Sequence, residues 1–202
     1  ARHYGLTIAH NTLKKWISRI HQSSDITLAP SKWACRDLEQ SGVKNVRLWK
    51  RGVDLINFSP LRRDELLRAN ITGGKDQLIV GYVGRLANEK RIDDLAVLDA
   101  ASHIQLVIVG DGPAATRLSK DLPNARFVGY QSGTELARYV ASFDIFVHTG
   151  KNETFCQGIQ EALASGVPVI GPDTGGPVDL IEHGITGLLI DTADSHQLME
   201  AV

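Results

Sequence analysis

Residues 150–170 read GKNETFCQGIQEALASGVPVI, and the interpretation of the whole chain starts from this stretch. The pattern predicts a short loop, a helix, a glycine stop and a buried strand. Thr154 and Gln157 have the spacing of a capping box, which places the start of the helix near Thr154. Gly166, followed by Val-Pro, ends the helix before the apolar strand. The stretch therefore predicts one helix–strand unit of an α/β fold.

Two glutamates in this stretch favour a ligand site. Glu153 precedes the predicted helix and Glu161 lies two turns inside it, whereas an apolar stripe at positions i, i+4 and i+7 faces inward: Phe155, Ile159 and Ala162. A helix N-terminus presents unpaired N–H groups and a positive dipole potential, so a diphosphate fits there. Gly158 leaves room for a ligand against the helix. A capped amphipathic helix with two solvated glutamates explains the helix, taken alone, equally well.

Apolar runs alternate with helical stretches from residue 78 onward. The runs are Leu78–Val83, Leu106–Val109, Arg126–Val128, Asp144–His148, Val167–Ile170 and Leu188–Ile190. Short β-rich runs separated by helices predict a parallel, doubly wound, Rossmann-like sheet. Ligands of such sheets collect at the carboxyl ends of the strands, so the residues after each strand are the site candidates.

The loop after the first of these strands carries two positive charges. Residues 84–90 read GRLANEK. Gly84 allows close approach of a ligand, and Arg85 and Lys90 offer fixed cations to a phosphate. Taken alone, the Gly-Arg pair favours an ordinary solvated loop.

The second strand is followed by a sequence that suggests a different function. Gly110–Ala115 reads GDGPAA and fits the relaxed dinucleotide fingerprint, so an NAD-binding oxidoreductase domain is the alternative. Three features count against it. The sequence follows the second strand rather than the first, Pro113 removes one N–H at the helix start, and no acidic residue closes the next strand.

Composition excludes several classes of protein. The chain has 202 residues, 43% of them hydrophobic, with a formal net charge of −1, so it can bury a core and has no basic excess for nucleic acid. Cys35 and Cys156 form no CxxC or disulfide framework, which is typical of thiols in a reducing, cytoplasmic compartment. We expect no transmembrane segment or signal peptide. Without an Asp-x-Asp motif or His/Cys ligand spacing, we expect no metal.

The N-terminal part predicts a smaller α/β segment. Residues 12–21 form an amphipathic pattern with an apolar stripe, which favours a core-packed helix over a helix on an anionic membrane surface; the stripe is Leu13, Trp16, Ile17 and Ile20. A strand at 25–29, a helix that begins at Ser31 and closes at Gly42, and a strand at 46–49 follow. The polar run after residue 61 has the composition of a linker.

These motifs, in this order, resemble the nucleotide-sugar site of retaining glycosyltransferases with the GT-B fold (family 4, group 1), which include sucrose synthase-like and phosphatidylinositol mannosyltransferase-like enzymes. The resemblance rests on Glu-x7-Glu within NETF…EALASGVPVI, on GRLxxxK, on GDGP, and on GVD…FSP at residues 52–60. It implies residues 1–60 as the end of the acceptor-side domain and the crossover. Residues 61–77 would be a linker, and 78–202 the nucleotide-sugar donor-binding domain, truncated at its C-terminus.

The resemblance also implies a role for each site residue. Arg85 and Lys90 bind the diphosphate and neutralise it as it leaves, Glu153 contacts the donor sugar and Glu161 binds the ribose hydroxyls; the catalytic residues are thus Glu153, Arg85 and Lys90. Backbone contacts near Val128 hold the nucleobase. The implied donor site is Gly84, Arg85, Lys90, Val128, Glu153, Thr154, Phe155, Cys156, Gln157, Gly158 and Glu161. Retention without a protein nucleophile implies front-side attack.

Two details narrow the expected donor. RLWxxGVD at 47–54 and ETFCQxxQEA at 153–162 look most like GDP-mannose-dependent α-mannosyltransferases and sulfolipid synthases. We therefore expect transfer of mannose from GDP-mannose to a glycolipid or glycan, with a UDP-sugar (glucosyl or sulfoquinovosyl type) as the alternative donor. We expect a cytoplasmic protein, with peripheral association at the cytoplasmic membrane face as an option. The chain is read as a piece of a longer protein and is expected to be inactive alone; the sequence indicates no oligomeric state.

A lone histidine on a strand, such as His148, is usually structural, although its place before the motif loop makes it a secondary candidate. The turn at 171–177, GPDTGGP, either shapes the cleft or is only a tight turn.

Overall fold

The computed structural model describes residues 16–202. The chain forms two compact units, Ala1–Gly52 and Val53–Val202. Among residues 16–202, none of the helices is both long and apolar enough to cross a membrane.

The first unit contains a small parallel β–α–β arrangement. Strand β1 (Thr27–Ala29) pairs in parallel with β2 (Val46–Leu48), and the helix Lys32–Gln40 lies between them in sequence. The Ser31 hydroxyl accepts a hydrogen bond from the Ala34 amide at 3.0 Å, as an N-cap does, and Gly42 follows the helix with a φ of +85°. The predicted strand–helix–strand order is confirmed.

The expectation of a core-packed helix at 12–21 is wrong for residues 16–21. Residues 16–22 are helical, but Trp16 is 61% exposed and Ile17 and Ile20 are exposed too; Leu13 lies outside the described residues. Ser18 is buried instead, because the helix faces the turn at Gly42, whose Cβ position lies 3.6 Å from the Ser18 hydroxyl. The apolar stripe therefore does not contribute to a core within this unit.

The second unit is built on a six-stranded parallel sheet. Its strands are β3 (Leu78–Val83), β4 (Ile104–Val109), β5 (Arg126–Gly129), β6 (Ile145–Val147), β7 (Val169–Pro172) and β8 (Gly187–Ile190). They pair in the order β5-β4-β3-β6-β7-β8, all parallel. Each predicted apolar run is confirmed as a strand, with ends shifted by up to two residues. The order reverses between β3 and β6, which is the arrangement of a doubly wound sheet.

Helices connect these strands on both faces of the sheet. The α-helices are Glu65–Thr72, Ala96–Asp99, Ala115–Asp121, Gly133–Ala141, Gln157–Ala164 and Ser195–Glu200. Short 3-10 segments occur at Pro60–Arg62, Asn88–Lys90, Ile92–Leu95 and Gly176–Asp179. Side chains alternate along β3, so Ile79 packs into one core layer and Val80 into the other. Gly81 has no room for a side chain, because its Cβ position lies 2.1 Å from the Phe143 ring.

The expected linker at 61–77 is instead part of the fold. It contains the helix Glu65–Thr72, whose Leu67 and Ile71 are buried in the core of the second unit. The Asp64 carboxylate accepts from the Leu67 amide at 2.9 Å and pairs with Arg138 at 2.8 Å. The polar composition that suggested a linker comes from the solvated face of this helix.

Candidate functional site

The site lies where the strand order reverses. The carboxyl ends of β3 and β6 are adjacent there, because these strands pair with each other while their neighbours lie on opposite sides. Gly84 and Arg85 directly follow β3, and His148 directly follows β6. The sequence from β6 continues through the motif loop, residues 149–156, into the helix Gln157–Ala164, here called the motif helix.

The motif helix begins three residues later than predicted. Its N-cap is Cys156, with φ and ψ of 87° and 88° and no hydrogen bond from the Cys156 side chain, so the helix does not begin at Thr154 as the capping-box spacing predicted. A positive φ breaks the helical path at this residue. Thr154 and Phe155 therefore belong to the loop. The end of the helix is as predicted, with Gly166 at a φ of +72° after it.

The turn at 171–177 packs against the motif loop. The Gly176 amide donates to the Glu153 carbonyl at 2.7 Å. A Cβ atom on Gly175 would lie 2.8 Å from the same carbonyl oxygen, and one on Gly176 would lie 2.5 Å from the Phe155 nitrogen. Phe155 is 7% exposed and anchors the loop in the core. The glycines of the 171–177 turn therefore allow two backbones to pack together, which shapes the site.

Glu153 and Lys90 form an ion pair in the site. Their side chains are only 16% and 22% exposed, and the imidazole Nε2 of His148 lies 3.3 Å from the Glu153 Oε1. Burial alone would raise the pKa of Glu153, but His148 and Lys90 outweigh it and lower that pKa to about 2. The Lys90 carbonyl accepts from the Thr149 hydroxyl at 2.8 Å, which ties the Lys90 turn to the end of β6.

His148 is a buried member of this group that the sequence ranked low. It is 2% exposed, and its ring stacks on Tyr82 with centroids 6.1 Å apart and planes 8° apart. Burial acts to lower the pKa of His148, but the neighbouring Cys156 and Glu153 raise it to about 9. Cys156 is a free thiol. A histidine at a strand end becomes a strong candidate only when its neighbours are known, so the sequence carried little signal for it.

Glu161 faces a cavity of about 530 Å³ beside this cluster. The walls come from the ends of β3, β4 and β5, from the start of the helix Gly133–Ala141, from the motif helix and from Phe58. The lining residues are Phe58, Val83, Gly84, Arg85, Val109, Gly110, Asp111, Tyr130, Gln131, Ser132, Gly133, Leu136 and Glu161. Burial raises the pKa of Glu161 to about 7, against an opposing hydrogen bond with Gln157. The cavity has the size, the carboxylate and the cation that a phosphorylated polyhydroxy ligand requires.

Arg85 stands at the wall of this cavity in an ion pair with Glu89. Its loop is supported by the Gly-Asp-Gly-Pro turn, since the Leu86 amide donates to the Asp111 carbonyl at 2.9 Å. The Cβ positions of Gly110 and Gly112 lie 1.9 Å and 2.4 Å from the carbonyl oxygens of Gly84 and Leu86. These glycines are therefore explained by loop packing, without the dinucleotide that the fingerprint suggested.

Two expected site residues have a different environment. The Cβ position of Gly158 points at Phe146, 3.2 Å away, and at the Val83 carbonyl, so this glycine lets the helix approach the sheet rather than a ligand. Val128 packs against the core, and its carbonyl accepts from the Gln131 side chain at 3.0 Å. The cavity wall at this loop is formed by residues 130–133, just after the predicted Val128. Within residues 16–202, no group of three or more His, Cys, Asp or Glu side chains is placed to hold a metal ion.

Comparison with known proteins gives close relatives. The chain is 49% identical to a GDP-mannose-dependent alpha-mannosyltransferase of Corynebacterium glutamicum, over 93% of this chain and 45% of the relative. It is 47% identical to a protein of the same name from Mycobacterium tuberculosis, over 100% of this chain and 53% of the relative. A sulfoquinovosyl transferase of Arabidopsis thaliana is 34% identical over 87% and 36% of the two chains. The chain thus spans about half the length, or less, of the curated relatives it matches.

Solved structures show the same fold. Sucrose-phosphate synthase from Thermosynechococcus elongatus superposes with a TM-score of 0.82 at 26% identity, over 94% of this chain and 51% of the other. HepE of Anabaena, crystallised with UDP-glucose, superposes with a TM-score of 0.83 at 22% identity, over 96% and 58%. The α/β fold predicted from the sequence, of the GT-B type, is confirmed. The family model for glycosyl transferases group 1 matches residues 64–202, and the chain belongs to that family.

Proposed function

We propose that this chain is the donor-binding part of a retaining hexosyltransferase that moves mannose from GDP-mannose to a glycolipid or glycan acceptor. The observation that carries the proposal is the presence of two cations, Arg85 and Lys90, and two carboxylates, Glu153 and Glu161, around the strand ends where the sheet order reverses: Lys90 pairs with Glu153, and Arg85 and Glu161 line one cavity. The two mannosyltransferase relatives, at 47% and 49% identity, support the choice of donor.

The residues take the following roles in the proposal. Arg85 and Lys90 neutralise the diphosphate together with backbone N–H groups of residues 155–158, and they stabilise the charge that develops on the leaving phosphate. Glu153 orients the hexose through its hydroxyls. Glu161 accepts from the ribose hydroxyls, and residues 130–133 contact the base. With front-side attack, the leaving phosphate assists deprotonation of the acceptor, so no protein nucleophile is required.

A calorimetric titration tests this function. The chain is titrated with GDP, UDP, ADP and NAD, and the series is repeated on Glu161→Ala. Preferential binding of GDP that weakens in the variant supports the proposal, and a preference for UDP assigns a UDP-sugar donor instead. Binding of NAD that is indifferent to Glu161 would contradict the transferase function.

The acceptor and the location remain part of the proposal. A glycolipid acceptor fits a cytoplasmic protein that associates peripherally with the membrane face. Trp16, Ile17 and Ile20 are exposed in the first unit and supply an apolar surface of the kind that inserts at lipid interfaces. Sedimentation with anionic vesicles, compared between the chain and Trp16→Ser, tests this association; equal sedimentation of both would argue against a role for the helix.

A further inference from the structure

His148 is buried without the hydrogen bonds that a buried imidazole normally makes. Within residues 16–202, neither of its ring nitrogens makes a hydrogen bond of normal geometry, although the residue is only 2% exposed and the side chains of Cys156 and Glu153 act on it. Nε2 and the Glu153 Oε1 are 3.3 Å apart, so the two groups form an ion-pair contact without hydrogen-bond alignment. Leaving buried polar atoms unpaired is costly, which makes a purely structural role for this ring unattractive.

The space between the two side chains is kept open by Gly150. A Cβ atom on this residue would lie 3.0 Å from the His148 Nε2 and 3.3 Å from the Glu153 Oε1. The facing nitrogen and oxygen are therefore held at a point where the backbone carries no side chain. From the other side, the parallel ring of Tyr82 fixes the plane of the imidazole.

The groups around His148 favour its charged form. From the motif loop, the Glu153 carboxylate and the Cys156 thiol face it, and from β3 the phenol of Tyr82 does; Lys90 reaches the group only through Glu153. The raised pKa of His148, about 9, leaves the imidazolium predominant near neutral pH. Glu153 thus has two cationic partners, Lys90 and His148, which both contact its Oε1.

The two partners are not equivalent in the proposed function, on which this inference rests. Lys90 is also proposed to bind the diphosphate, so it turns at least partly away from Glu153 when the donor is bound. A half-buried carboxylate that loses its cation is strongly destabilised unless another takes its place. His148 directly follows β6 and is 2% exposed, and we assign it no diphosphate contact, so it stays beside Glu153.

We propose that His148 is a positioning residue that keeps Glu153 ionised and aimed at the donor hexose while Lys90 engages the diphosphate. No bond forms or breaks at the imidazole. Through Glu153, His148 affects only the binding of the sugar part of the donor. Binding of the nucleoside diphosphate alone, which lacks the sugar, does not depend on His148.

The test compares GDP-mannose with GDP as ligands of the chain and of three variants. His148→Phe keeps the ring volume and the stacking on Tyr82 but removes the charge, and His148→Gln keeps polar atoms in case the first variant does not fold. His103→Phe is the control, because His103 is exposed and outside the site. Affinities are measured by calorimetry at several pH values between about 5.5 and 8.

In the native chain and in the control, we expect the affinity ratio of GDP-mannose to GDP to stay constant over this range. In His148→Phe, GDP affinity stays within about twofold, while the ratio falls about tenfold and falls further as pH decreases, since Glu153 then protonates more easily. A ratio in both His148 variants equal to that of the native chain at every pH would overturn the proposal. Failure of the native chain to bind GDP at all would overturn the proposed function itself and this inference with it.

Discussion

Lys90 and Glu153 form an ion pair across the site although 63 residues separate them in the sequence. The pair joins the turn after β3 to the loop after β6, so the two sides of the strand-order reversal are linked by opposite charges. Both partners are proposed to contact the donor, Lys90 at the diphosphate and Glu153 at the sugar, so donor binding is expected to weaken the contact between them.

Removing the Lys90 charge is expected to weaken nucleoside diphosphate binding. Lys90→Gln should lower GDP affinity about 10- to 100-fold, because a charge-assisted contact to phosphate is lost. Lys151→Gln is the matched control: Lys151 also lies at the motif loop and also pairs with a carboxylate, Asp191, but we assign it no ligand contact. Isothermal titration calorimetry of both variants with GDP measures the difference. Equal losses of GDP affinity in the two variants would contradict the role assigned to Lys90.

Glu161 should destabilise the empty fold at high pH. A carboxyl whose pKa is raised on folding contributes its stability fully below its unfolded pKa and loses it as pH rises through the folded pKa, here about 7. The difference in free energy of unfolding between Glu161→Gln and the native chain is therefore expected to be about 1–2 kcal/mol more favourable to the variant at pH 8 than at pH 5, after allowance for the partial exposure of Glu161.

Urea denaturation at the two pH values measures this difference. Glu182→Gln serves as the control, because Glu182 is exposed. A gain of the same size in the control, or none in Glu161→Gln, would show that burial does not act on Glu161 as described.

The packing of the two loops is tested with a pair of glycine variants. Gly175 and Gly184 have nearly the same φ, +77° and +79°, but a Cβ atom on Gly175 meets the Glu153 carbonyl at 2.8 Å whereas one on Gly184 meets nothing within 4 Å. Gly184→Ala should lose about 1 kcal/mol of unfolding free energy from the positive φ, and Gly175→Ala about 1–3 kcal/mol, because the φ and ψ of Gly175, 77° and −159°, are adopted readily only by glycine. Gly175→Ala should lose about 1–3 kcal/mol more, because the motif loop must shift.

Thermal unfolding measures the difference, at roughly 2–4 °C per kcal/mol for a chain of this size. Gly175→Ala should also bind GDP-mannose more weakly, since Glu153 moves with its carbonyl, while Gly184→Ala binds it normally. Identical unfolding temperatures for the two variants would mean that the loops do not depend on each other.

Releasing Arg85 from its ion pair should strengthen diphosphate binding slightly. Arg85 is 63% exposed and pairs with Glu89 at i+4, so the pair is worth no more than about 1 kcal/mol. Glu89→Gln is expected to raise GDP affinity about two- to fivefold. Asp121→Asn breaks a comparable exposed pair with Arg117 away from the site and should change nothing. Weaker GDP binding in Glu89→Gln would indicate that Glu89 positions Arg85 rather than competing for it.

Much of the fold could be predicted because its signals are local. Each strand from β3 to β8 is an apolar run bounded by polar residues, and a parallel sheet buried on both faces requires such runs. The start of the motif helix could not be predicted, because a positive φ like that of Cys156 is rare for a residue other than glycine. This conformation overrides the capping-box spacing. The helix Glu65–Thr72 was missed because its amphipathic pattern spans only two turns.

The candidate site was predicted in composition better than in geometry. Arg85, Lys90, Glu153 and Glu161 do lie at the strand-order reversal, because motifs after parallel strands converge at one edge of the sheet. The role of Gly158 was misjudged, since a glycine in a helix can face either the sheet or a ligand and the sequence does not say which. His148 and Tyr82 acquire their relationship only through the pairing of β3 with β6.

The helix Glu65–Thr72 has a practical consequence for dissecting the protein. Leu67 and Ile71 pack into the core, and Arg68 pairs with Asp144 at 3.0 Å. The Asp144 carboxylate also accepts a hydrogen bond from the Ile79 amide at 2.9 Å, at the start of β3. A recombinant donor half that began at residue 78 would leave the first strand of the sheet without this support and expose the apolar surface under it. A clone that begins at Val53 keeps the helix and its anchors, and it is the shorter piece from which donor binding should be measured.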